Sequence, residues 1–122
     1  MPGYLTIKNF GPIKDATIEL KNFLVLIGGQ GTGKSTIAKV LTICQELFFY
    51  IHILEKNENV MQPFHIFGIA DYFQENSYIE YKKEELSILY KNGEFTLTHE
   101  KYTNKDELLN LYKEFIFNEI KR

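Results

Sequence analysis

Gly28-Gly29-Gln30-Gly31-Thr32-Gly33-Lys34-Ser35 is the stretch on which the reading of this chain turns. It fits the pattern G-x-x-x-x-G-K-[ST] at every fixed position. Glycines let the backbone bend sharply and aim successive N–H groups inward, making an anion nest that no Cβ obstructs. A helix starting here adds the positive end of its dipole. Lys34 brings a point charge to the β- and γ-phosphates, and Ser35 a hydroxyl to magnesium. The expected nucleotide contacts are therefore Gly28, Gly29, Gln30, Gly31, Thr32, Gly33, Lys34, Ser35 and Thr36. Lys34 is also the expected catalytic cation, and the expected ligand is ATP with Mg2+.

The flanks suit such a loop. Phe23-Leu24-Val25-Leu26-Ile27 is a continuous apolar run, as in a strand buried on both faces. Before it, Tyr4-Leu5-Thr6-Ile7-Lys8-Asn9-Phe10 alternates apolar and polar, Gly11-Pro12 breaks the run, and Ala16-Thr17-Ile18-Glu19-Leu20 reads as a second short strand. After the loop the period changes. Ile37, Val40, Leu41, Cys44, Leu47, Phe48 and Ile51 recur at three- and four-residue spacings, which predicts one helix through all of them. Past Leu47 this helix is apolar nearly all round, so it either packs on its own sheet or meets a partner.

Further on, residues 56–62 read as a polar loop ended by Pro63, and residues 64–73 as a short helix or turn. Residues 78–81, 86–90 and 95–98 read as strands, the last two joined by a tight Asn92-Gly93 hairpin. Thr103 is expected to cap a final helix, with Asp106 completing an approximate capping box. Leu108, Leu111, Tyr112, Phe115, Ile116 and Ile120 form its apolar face. The predicted fold is α/β, a P-loop NTPase lobe. It has N-terminal strands, a buried strand, loop and helix, then a small antiparallel β-subdomain followed by a helix. All 122 residues are read as one nucleotide-binding domain, with a P-loop core over 1–62 and the β-subdomain and terminal helix over 63–122.

Composition narrows the classes. Apolar residues at 44% and charged residues at 25% are ordinary for a globular chain. Six lysines face five acids up to Met61, and eight bases face eleven acids beyond it, so neither part has a nucleic-acid binder's basic footprint. The single cysteine, Cys44, excludes an internal disulfide and sits among apolar residues as a buried thiol would. His52, His65 and His99 are isolated, so no metal-ligand cluster is legible. Met1-Pro2-Gly3-Tyr4 is not a signal sequence, and the apolar run 47–54 is too short to span a bilayer. No membrane partner is expected, and cytoplasm is the expected compartment.

Hydrolysis also needs a carboxylate near magnesium, usually at the end of an apolar strand. The nearest candidate is Asp71, after Ile66-Phe67-Gly68-Ile69-Ala70, although Gly68 interrupts that run. Glu84-Glu85 and Asp106-Glu107 follow polar residues and read as solvated faces.

The series Ile7-Lys8-Asn9-Phe10-Gly11-Pro12-Ile13, then residues 16–20, then 23–36, resembles the opening of ABC-type P-loop ATPases of the OLD, RecF and SMC kind, ATP-binding proteins of the AAA family. Gln30 stands where many of those relatives have Asn, and Thr32 where they often have Ser or Ala. Gly11-Pro12 replaces an arginine common in the RecF and SMC branches. The resemblance implies the N-terminal part of a longer ATPase, which hydrolyses ATP only when complete and dimerised head to head. A homodimer or a partner chain covering apolar helix faces is the implied assembly, and this chain alone is expected to be weakly active or inactive. Two other readings stay open: a small self-contained kinase or GTPase-like enzyme, and a non-catalytic interaction module that nucleotide stabilises.

Overall fold

A computed structural model describes residues 3–22 and 32–121. The expected buried strand over residues 23–27 and the loop positions 28–31 lie outside the described residues. Two alternating stretches open the chain as strands β1 (Tyr4–Phe10) and β2 (Ile13–Glu19), paired antiparallel with Tyr4 opposite Glu19 and Phe10 opposite Ile13. The turn between them needs glycine. Gly11 has φ +54°, and a Cβ there would lie 2.4 Å from the Tyr72 ring. Its N–H donates to the Tyr72 carbonyl at 3.0 Å, which ties the turn to the chain sixty residues on.

Strands β3 (Phe73–Lys83), β4 (Leu86–Lys91) and β5 (Glu94–His99) extend the same sheet, in the order β2-β1-β3-β4-β5, every neighbour antiparallel. β3 is therefore central, and the later strands continue the N-terminal pair as one sheet. β3 begins five residues earlier than its apolar pattern predicts. Its first part is polar, and pairing of Phe73 with Phe10 recruits it. Asn92 and Gly93 form the expected tight turn, both with positive φ.

Strand alternation sends one side of the sheet inward. Leu5, Tyr81, Ile88 and Leu97 make one cross-strand row, and Ile7, Ile79, Tyr90 and Phe95 the next, all buried. Helices cover that face. Helix α1 (Thr32–Cys44) buries Ile37, Val40, Leu41, Ile43 and Cys44. Helix α2 (Leu47–Glu55) buries Phe49, Tyr50, Ile51 and Ile53. The short α3 (Gln62–Ile66) contributes Phe64, and α4 (Lys105–Lys121) contributes Leu108 and Tyr112. Phe64 centres an aromatic cluster, with ring centroids 4.9 Å from Phe73, 5.7 Å from Phe95 and 5.9 Å from Phe49.

Three local expectations are corrected. The single helix from the loop through Ile51 is two helices, α1 and α2, with axes bent by 72°. Glu46 is extended (φ −93°, ψ 129°), and the Tyr50 hydroxyl donates to the Cys44 carbonyl at 2.5 Å, satisfying an acceptor that the broken ladder leaves free. The bend re-phases the apolar stripe, so Phe49 turns into the core while Phe48 is 58% exposed. The polar 56–62 loop contains a 3-10 helix, Glu58–Met61, because Asn57 caps it by accepting from the Asn59 N–H at 3.0 Å. The cap of α4 is Asn104 rather than Thr103. Its side-chain oxygen accepts from the Glu107 N–H at 3.0 Å, and asparagine caps at least as well as threonine. Among the described residues, no single helix is long and apolar enough to cross a membrane.

Candidate functional site

The first turn of α1 carries the described part of the candidate phosphate site. Thr32 opens the helix, and Gly33, Lys34 and Ser35 follow in its first turn. Three N–H groups of that turn have no partner within the helix. No acid occupies the turn, so nothing in it opposes an incoming anion. The Lys34 and Ser35 side chains are exposed, and among the described residues no carboxylate lies within ion-pair range of Lys34. A Cβ at Gly33 would meet nothing within 4 Å among the described residues. Thr36, one residue on, is only 3% exposed. Gly28, Gly29, Gln30 and Gly31 lie outside the described residues.

α1 is held by its other end. Val40, Ile43 and Cys44 are wholly buried, and that burial pushes the Cys44 thiol far above its usual range, so it is an unreactive core group. Packing thus fixes a helix whose opening turn shows Lys34 and Ser35 to solvent. A cation, a hydroxyl and unpaired amides grouped there can bind an anion, and a phosphate chain with magnesium fits that donor set.

Asp71 stands on a different element from the first turn of α1. It is exposed in a 3-10 helix, Ala70–Tyr72, that follows α3 and leads into β3. The apolar run before it is the end of a helix and a turn, and Gly68 there has φ +72°. The carbonyl of neighbouring Tyr72 anchors the β1–β2 turn, so Asp71 stands beside Gly11. No ion pair joins Asp71 to Lys34 among the described residues. The same residues contain no group of three or more His, Cys, Asp or Glu able to hold a metal.

One feature escapes the sequence. A polar hollow of about 580 Å3 opens where the α1–α2 corner, α4 and the β3–β4 turn meet, and Tyr50, Tyr81, Tyr112, Glu84, Glu85 and His99 line it. Its lining comes from separate elements, so no linear motif marks it. The nearest signal is Glu84-Glu85 at a turn between two strands.

A family model described as AAA ATPase domain matches residues 4–122. No curated protein and no solved structure matches this chain.

Proposed function

The chain belongs to the AAA ATPase domain family, and on that premise we propose that it binds ATP with magnesium through residues 28–36. That family is one of ATP-binding ATPases. The observation that carries the finer reading is the first turn of α1, where exposed Lys34 and Ser35 stand at the motif's spacing with no acid beside them. Lys34 would hold the β- and γ-phosphates, Ser35 the magnesium ion, and the glycine backbone would cradle the phosphate chain. Magnesium-ATP supplies the transferable phosphoryl group. The protein's share is positioning and charge neutralisation.

The proposal extends to assembly. An ABC-type ATPase closes a second lobe over the γ-phosphate, so this chain is proposed to turn over only when associated. Phe115 and Phe117 on α4, 51% and 60% exposed, support a role for that face in association. Sedimentation across a concentration range checks this. A stable monomer throughout, with robust turnover lost in Asp71→Asn, would replace it with a self-contained enzyme.

Thermal melting with nucleotide tests binding. Wild type is expected to gain about 2.7 kcal/mol at a hundredfold excess over Kd, and Lys34→Ala almost nothing. Equal stabilisation of both proteins would refute the phosphate-loop reading.

A further inference from the structure

The hollow below the β3–β4 turn is independent of the phosphate site, since it lies at the opposite end of α1. Three tyrosines from α2, β3 and α4 build its wall. The Tyr50 hydroxyl is engaged, donating to the Cys44 carbonyl, and the Gln45 side chain offsets part of the burial that raises the Tyr81 phenol. Tyr112 differs. The residue is 7% exposed, and its hydroxyl has no hydrogen-bond partner among the described residues. Nor is that oxygen among the sealed, unpartnered atoms, a condition met among the described residues by His52 Nδ1. The Tyr112 hydroxyl therefore opens into the hollow with its hydrogen-bonding capacity unused.

The surrounding charge is negative. Glu84 and Glu85 edge the hollow, and the carbonyl end of α1 points to the same region. His99 turns its Nδ1 away from the carboxylates, where it accepts from the Lys101 and Tyr102 N–H groups at 3.0 and 3.2 Å. Its Nε2 faces Glu85 Oε2 at 3.8 Å. Lys83 is the one cation on the described lining, and it is exposed.

We propose that this hollow binds a guanidinium group. Neighbouring carboxylates match its forked donors, tyrosine rings accept its flat face, and the Tyr112 oxygen takes a remaining N–H. An anion would meet Glu84 and Glu85, and an apolar group would leave the Tyr112 hydroxyl stranded. Free guanidino compounds and arginine side chains share this chemistry.

Titration of the protein with agmatine and with N-acetyl-arginine amide, followed by tyrosine NMR shifts, tests the site. N-acetyl-citrulline amide is the neutral isostere. Saturable binding of either guanidinium probe with none of the citrulline form is the expected result. Agmatine alone would assign a free small molecule, and the amide alone, or both, an arginine residue or the group itself. Tyr112→Phe and Glu84→Gln are each expected to weaken binding about tenfold with the circular dichroism spectrum unchanged. Equal affinity for the arginine and citrulline forms, no saturable binding, or full affinity in both folded variants would overturn the proposal.

Discussion

At its first turn α1 shows Lys34 and Ser35 to solvent, beside backbone amides that the helix cannot satisfy. Two to three turns on, Val40, Leu41, Ile43 and Cys44 are sealed under the sheet, and a tyrosine from the next helix fills the free Cys44 carbonyl. One end therefore shows a cation and a hydroxyl to solvent, and the other is sealed and bonded within the fold. A helix held this way is kept in place by packing at its buried end. Substitutions should then separate cleanly, with stability lost at the packed end and ligand response lost at the open end.

The largest effect is expected from Leu41→Ala at the packed end. Leu41 is 1% exposed, and truncation there should cost about 2–5 kcal/mol in chemical denaturation. A loss below about 0.5 kcal/mol would show that this end is loosely packed and the contrast false. At the open end, Lys34→Ala should change the stability of the free protein by no more than about 0.5 kcal/mol. The same change should remove the whole nucleotide-dependent gain of about 2.7 kcal/mol at a hundredfold excess over Kd. A large loss without nucleotide would make Lys34 a structural residue.

Tyr50→Phe sharpens the comparison at the corner itself. Removing the hydroxyl leaves the buried Cys44 carbonyl without its partner, at a cost of about 1–3 kcal/mol in a urea titration. If the variant were as stable as wild type, the corner would owe nothing to that bond. The smallest effect is alkaline. Burial pushes the Tyr81 phenol from its ordinary 10 up to about 12, so the unfolded chain ionises first. Its contribution is whole below pH 10 and is lost as pH rises toward 12. About 1.4 kcal/mol should be gone by pH 11. Melting temperatures compared at pH 9 and pH 11, with Tyr81→Phe as the control, read it directly.

Much of the architecture was legible because strands and turns are written locally. Alternation in residues 4–10, the Asn92-Gly93 turn and the apolar rows of 86–90 and 95–98 all depend on neighbours close in sequence. The α1–α2 bend was not legible, since Leu47 and Phe48 continue the helical period and only packing shows that Phe49 belongs inside. The early start of β3 was hidden for the same reason, as polar residues 74–76 are carried in a bulge between the Lys8–Tyr78 and Phe10–Phe73 pairs rather than chosen by preference. Thr103 and Asn104 both cap helices, and the choice between them lies in where the chain enters the last helix.

The candidate site divides along the same line. Spacing alone brought a lysine and a hydroxyl to the start of a helix after a glycine-rich stretch, because an anion nest is built from consecutive residues. Glu84-Glu85 read as a solvated pair, and nothing nearby in sequence joins it to Tyr50, Tyr112 or His99. Tertiary structure alone decided that these residues share a hollow. Burying one face of a sheet under helices brings distant side chains together at its rim, and that convergence is a property of packing which no local period records.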